Sequence, residues 1–383
     1  MKDPFRSGVV FCLVWVCLTA FSGTAMAAGL PAVTVDEDFA GSAPSFQWAV
    51  PSSVSVIPYA VASDTAGNIY ATDMVRQSVW KFSPDGYYLT RWGSVGNGNG
   101  MFLNPRGIAL NATGYVYVVD TDNNRVQIFT SGGAYAGQWG CMGAGNGQFQ
   151  FPQGVFVNSS GYVYITDSGN SRVQVFTPSG GYRGQWGTYG TENGQFNGPR
   201  GVSVNTTGYV YIADVSNNRV QVFSPSGKFI RTWGTSGTGN GEFANPDGIA
   251  VNGSGYVYVA DVDNSRVQVF SPSGGYVRQW GYTGTENGNF TYPIGITAAP
   301  GGYVYVADNF NKRIQRFTSS GGYLSQWGSG GTGNGIFQNP RGIAVSTNGF
   351  VYVADSKNNR IQKFTTAGAY VSQWGTKGSG SGR

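Results

Sequence analysis

The stretch VYVADSKNNRIQKF, residues 351–364, sets a strand-like alternation beside an Asp, two Asn and an Arg. Taken alone it reads three ways: an active-site turn, a cation loop or a structural device. The chain decides by repetition. VYVVDTDNNRVQIF begins at 116, VYITDSGNSRVQVF at 163, VYIADVSNNRVQVF at 210, VYVADVDNSRVQVF at 257 and VYVADNFNKRIQRF at 304. A chemical site is normally built once, so near copies at a fixed step point first to architecture.

The step is 47 residues. Trp92, Trp139, Trp186, Trp233, Trp280, Trp327 and Trp374 keep it, as do Pro58, Pro105, Pro152, Pro199, Pro246, Pro293 and Pro340. No insertion interrupts either series, so each corresponding loop has one length. Within the unit 199–245, PRGVSV is followed by the turn NTTG, and GYVYIAD breaks at VSNN. RVQVF breaks at SPSG, and KFIRTWG runs into the Gly-rich linker TSGTGNGEFANP. Four short period-2 segments, each ended by Gly, Asn, Pro or Ser, make a four-stranded antiparallel meander. Such a sheet is apolar on both faces, so the units must stack, and a repeat of this length is one blade of a β-propeller.

Composition agrees with an all-β chain: 383 residues, 61 Gly, 15% aromatic and no helix-period segment after the first 30 residues. His is absent, which removes the commonest general base and metal ligand. The formal charge of +5 is spread along the chain, so a nucleic-acid partner is not expected. At the N-terminus Lys2 and Arg6 precede the apolar run Val9–Phe21, and Ala25-Met26-Ala27 offers a small-residue cleavage site. Thirteen apolar residues are too few to span a bilayer. Residues 1–27 therefore read as a removable signal peptide, and a secreted or cell-surface protein without membrane insertion is expected. The cut leaves a net charge of +4 and one cysteine, Cys141, so the mature fold must stand without an internal disulfide. Residues 28–53 form an N-terminal segment, 54–375 the repeats and 376–383 a flexible tail.

The run D-x-x-N-x-R-[VI]-Q, the following F-x-x-x-G and the linker W-G…G-x-G-N-G-x-F-x-x-P-x-G-[IV] resemble NHL repeats over about residues 54–375. The resemblance implies a β-propeller. It leaves function open, because NHL propellers serve as extracellular sensors, RNA platforms, protein scaffolds and, rarely, lyases. It also implies that an Asp and an Arg brace each blade: Asp120/Arg125, Asp167/Arg172, Asp214/Arg219, Asp261/Arg266, Asp308/Arg313 and Asp355/Arg360. An Arg fork can hold both carboxylate oxygens and tie a strand end to its neighbour. Six phosphate-binding arginines are the weaker reading, since a partnered Arg has little charge to offer. So is a calcium loop at 120–124 or 261–265, which lacks the later Gly and Glu. No metal and no cofactor are expected.

The first unit departs from the pattern. Arg76 stands in the Asn place, Ser78 in the Arg place and Trp80 in the Gln place. NHL propellers are usually six-bladed, and six is the alternative here. Seven equal units favour seven blades, since a unit left outside the ring would expose two apolar faces. SFQWAV (45–50) echoes a fourth strand and is expected to latch the ring.

Long loops on a rigid scaffold carry binding, which favours the face bearing the D-x-x-N loops and the linkers. After each periodic proline come Tyr59, Arg106, Gln153, Arg200, Asp247, Ile294 and Arg341, expected to ring the mouth of the central channel. Arg106, Arg200 and Arg341, beside Asp247, form a candidate anion site, with solvated rim charge as the plain alternative. In blade six Tyr292, Ile294 and Phe310 are apolar where other units are mostly polar, a second candidate. On the opposite face Asn111, Asn158, Asn205 and Asn252 head glycosylation sequons at one repeated turn, and Asn289 heads a fifth elsewhere. Turn chemistry alone also explains the first four.

The leading expectation is a secreted, non-enzymatic, monomeric propeller binding a protein, peptide or glycan. A lyase or lactonase is the alternative, weakened by the missing His and by a single carboxylate at the mouth. RNA binding ranks third. No Cys/His zinc module is present to make a ubiquitin ligase.

Overall fold

The computed structural model describes residues 58–83, 88–299, 301–346 and 349–375. The expected signal peptide 1–27, the segment 28–53 with the latch expected at 45–50, and the tail expected at 376–383 lie outside the described residues. The described chain forms seven four-stranded antiparallel sheets, each made of four consecutive strands. It is a seven-bladed propeller, and the six-bladed alternative is excluded.

Blade four shows the build. Its innermost strand Pro199–Val204 pairs with Val210–Asp214, which pairs with Arg219–Phe223, which pairs with the outermost Phe229–Trp233. The two middle strands are buried on both faces because blades cover them on either side. That is why they read as near-continuous apolar runs. Asp214 and Arg219 end up directly opposite each other at the hairpin end. The turn between them closes through Asn218 at φ 53°, a left-handed position that Asn tolerates well.

The core lies between blades. Tyr211, Val220 and Val222 of blade four, with Phe243 of the linker, pack on Ile249, Val257, Val259 and Phe270 of blade five. The periodic tryptophans from Trp92 to Trp327 each lie under a turn of the next blade, such as Trp92 beneath Gly133. A Cβ on Gly133 would sit 2.5 Å from the indole, and its φ of 86° also favours glycine. At the seam, Ile69, Ala71, Trp80 and Phe82 of blade one pack on Tyr352, Ile361 and Trp374 of blade seven, with Phe82 5.2 Å from Trp374. Among the described residues the ring therefore closes by side-chain packing, with no shared strand. Trp80, in the place other blades give to Gln, fills that seam.

Candidate functional site: the channel mouth

The loop-rich face is held rigid by the repeated Asp/Arg pairs, but the pairing differs from a two-oxygen fork. Arg172 Nε donates to Asp167 Oδ2 at 2.7 Å. Its other nitrogens donate to the Ala144, Gly145 and Gln148 carbonyls of the preceding linker and to Gln185 Oε1. Asp167 Oδ1 instead accepts the Gln150 N–H, and Oδ2 also accepts from Asn170 and Gln174. The guanidinium thus spends most of its donors pinning a linker. The same fan recurs around Arg125, Arg266, Arg313 and Arg360, and around Arg219 without the glutamine, whose place Thr232 takes. Burial pushes the Asp120, Asp167, Asp261 and Asp308 carboxyls above their usual range, and the surrounding donors pull them back. In blade one Arg76 approaches Asp73 only at 3.5 Å. The carbonyls that an arginine at position 78 would hold fall at residues 50–54, outside the described residues. The glutamines of R-[VI]-Q were not singled out from sequence as linker clamps. Gln174 Nε2 donates to Gln148 O, and its Oε1 accepts the Gly147 N–H. Their recurrence two places after each brace arginine was the available signal.

Every innermost strand begins with a bulge: one extra residue lies between the periodic proline and the next paired position, as between Pro199 and Val202. A bulge re-aims the side chain it carries. Here it sets the residue after the proline at the channel mouth, and the channel below is a cavity of about 300 Å³. Three layers line it. Tyr59, Gln153, Arg200, Asp247, Ile294 and Arg341 form the rim, and Ala60, Gly107, Gly154, Gly201, Gly248, Gly295 and Gly342 a throat. Val61, Ile108, Val155, Val202, Ile249, Ile296 and Ile343 form an aliphatic ring. The throat glycines answer to close approach of neighbouring strands: a Cβ on Gly248 would lie 2.2 Å from Ile294 O. Blade one carries Ala60 there, so glycine is not universal. Thr72 and Thr166, unremarked in the sequence reading, tie blades together below the rim. Thr166 Oγ1 accepts the Gly154 N–H and donates to Arg200 O of the next blade.

The structure brings the rim residues into one space. Arg200 Nη1 lies 3.3 Å from Asp247 Oδ2, with the two side chains 43% and 28% exposed. Arg106 is not among the cavity-lining residues; it runs along the rim, donating to Gln153 Oε1 at 3.0 Å. Arg106 and Arg341 flank the Tyr59 ring at 5.7 and 5.5 Å. Burial raises the Asp247 carboxyl above the usual carboxylate range, against the pull of Arg200, Arg341 and Arg106. All three arginines therefore act on one carboxylate. The Nε atoms of Arg106 and Arg341 are buried without a hydrogen-bond partner.

Blade six is split. Tyr292 and Phe310 stack at 4.8 Å with 12° between planes, Phe310 being exposed, while Ile294 belongs to the channel lining. Tyr292 and Phe151 both hold a positive φ (62° and 48°), where the other described blades carry Asn104, Gly198, Asn245 and Asn339. Bulky residues there are strained, and Phe151, also exposed, is a second aromatic on this face that the sequence reading passed over. On the opposite face, Asn205 Oδ1 accepts the Thr207 and Tyr209 N–H groups, and its Nδ2 donates to the Tyr211 hydroxyl. Asn111, Asn158 and Asn252 repeat this turn. Asn289 lies in a linker, where its carbonyl accepts from Arg313.

The sequence model of the NHL repeat matches residues 102–129, 149–176, 196–223, 243–270, 290–317 and 337–364. No curated protein sequence matches the chain. Among solved structures, a streptogramin B lyase superposes with a TM-score of 0.65 at 14% identity, covering 82% of this chain and 94% of that one. A catalytically inactive histidine-to-alanine variant of virginiamycin B lyase from Staphylococcus aureus, with quinupristin, gives 0.65 at 16%, covering 82% and 96%. Hydrazine synthase of Kuenenia stuttgartiensis gives 0.64 at 13%, covering 82% and 96%. At these identities the likeness is one of fold alone.

Proposed function

The chain belongs to the NHL-repeat β-propellers, and from that premise we propose that it is a non-enzymatic binding module that takes an anionic group of its partner at the channel mouth. One observation carries the reading: Arg106, Arg200 and Arg341, from blades two, four and seven, converge on a rim that holds a single carboxylate. Two of the three keep an unpartnered buried Nε. Converging donors at a partly shielded mouth favour a carboxylate or similar group. The brace arginines, by contrast, are spent on linker carbonyls. The lyase alternative is less well supported. One structural relative is described as inactive when a histidine is replaced, and this chain has no histidine. Among the described residues no three His, Cys, Asp or Glu side chains cluster. The N-terminal pattern supports a secreted or cell-surface address, where the partner is a protein, peptide or glycan.

The test is the triple variant R106Q/R200Q/R341Q against arrays of carboxylated glycans and acidic peptide termini. Binding by the wild type should be lost in the variant and weaken with salt, while the melting temperature barely moves. The stacked Tyr292 and Phe310 favour a second reading. If the triple variant binds normally and Y292S/F310S does not, the site is the apolar sector of blade six.

A further inference from the structure

We infer that the channel takes an organic monoanion with a compact apolar tail, its charged head at the arginine rim and its tail in the aliphatic ring below. This rests on the anion reading of the rim and goes beyond it by naming what lies under the charge. The order of the layers carries the inference. A small hydrophilic anion would be satisfied at the rim, leaving an apolar floor without a partner. Instead the rim opens through a throat lined by nothing larger than the Ala60 methyl, so no side chain separates the charged layer from the apolar one. Beneath it Val155, Val202, Ile249, Ile296 and Ile343 present branched aliphatic groups to the cavity, each also packed into a blade–blade core. Water against that aliphatic ring finds few partners, so an apolar tail that displaces it is favoured. At protein-like packing density about 300 Å³ holds roughly ten to twelve non-hydrogen atoms, the size of an eight-carbon carboxylate. Pockets of this size with apolar walls and a few convergent polar groups are the usual form of small-ligand sites. Ile294, the apolar member of the rim, lets a tail pass one side of the mouth without desolvating a charge.

The experiment titrates the full chain with butanoate, hexanoate, octanoate and octanol by calorimetry, and follows isoleucine methyl resonances. Each methylene buried in the cavity should tighten binding about fourfold, so octanoate should bind more than a hundredfold tighter than butanoate. The methyls of Ile249, Ile296 and Ile343 should shift with octanoate and not with acetate. The V155T/V202T variant keeps side-chain shape but places hydroxyls in the floor. It should weaken octanoate roughly tenfold and leave acetate unchanged. An affinity independent of chain length, with rim-only shifts, overturns the inference while leaving the anion site intact. Octanol binding as tightly as octanoate, with the floor methyls shifting, overturns the anion reading itself. The wild-type series decides even if the floor variant does not fold.

Discussion

Replacing Arg219 by Ala tests what the repeated arginines do. Arg219 is buried, with its Nε 2.7 Å from Asp214 Oδ2. Its remaining contacts run to the linker: Thr191 O at 2.5 Å, Glu192 O at 2.8 Å and Gln195 O at 2.6 Å. Breaking a buried ion pair by removing one member costs about 3–5 kcal/mol. Asp214 would keep the Asn197 N–H, Asn217 and Gln221, so its charge would not stand bare. The linker carbonyls lie near solvent and can turn to water. Both features place the cost near the lower bound, about 3 kcal/mol, or roughly 5–10 °C in melting temperature for a large chain. The loss should also be local, with faster hydrogen exchange at 191–196, where Gly194 N–H is held by Gln221. Calorimetry and exchange mass spectrometry read both. An R219K variant should recover part of the stability through Asp214, and little of the linker protection, because an ammonium cannot span three carbonyls. An unchanged melting temperature with an unprotected linker in the wild type would refute the brace and free these arginines for a binding role.

Two further outcomes follow from the channel. Asp247 carries a raised carboxyl pKa, so as pH falls through that value the mouth changes from three positive charges facing one negative to three facing none. An alkyl sulfonate, which stays ionised, should bind about tenfold tighter below that pH. D247N should bind tightly at every pH, and a pH-independent wild type would count against the mouth as the site. The sign for stability is the reverse of a salt-bridged Asp with a lowered pKa. Here stability falls as pH rises from the unfolded to the raised folded value, so D247N should not destabilise at neutral pH. G248A forces a Cβ to within 2.2 Å of Ile294 O and should cost about 1–3 kcal/mol by thermal melting, more than the same change at half-buried Gly241, where the added Cβ meets nothing and the cost is the positive φ alone.

The ring was legible because a 47-residue period with no insertion leaves one way to bury both faces of each unit. Seven units then make seven blades, since adjacent repeats supply each other's cover. The Asp/Arg pairing was legible too, as the resemblance to NHL repeats implied and the strand 2–3 hairpin register then placed the two residues opposite each other. Its purpose was not. The linker carbonyls held by Arg219 lie 24 to 28 positions earlier in the chain, and backbone acceptors leave no trace in side-chain identity. Position after the periodic proline pointed to the channel mouth, and six of those seven residues line it while Arg106 runs along it; their mutual contacts were not legible. That Arg200 meets Asp247, that Arg106 turns along the rim to Gln153, and that Tyr59 sits between two guanidiniums depend on contacts between neighbouring blades, 47 residues apart or across the seam. The sequence by itself determined the repeat, the blade and the face that carries long loops, because those follow from local periodicity and turn chemistry. Only the closed ring decided that a charged rim, a glycine throat and an aliphatic floor stack in one channel, because equivalent residues of seven separate repeats become neighbours only when the last blade packs on the first.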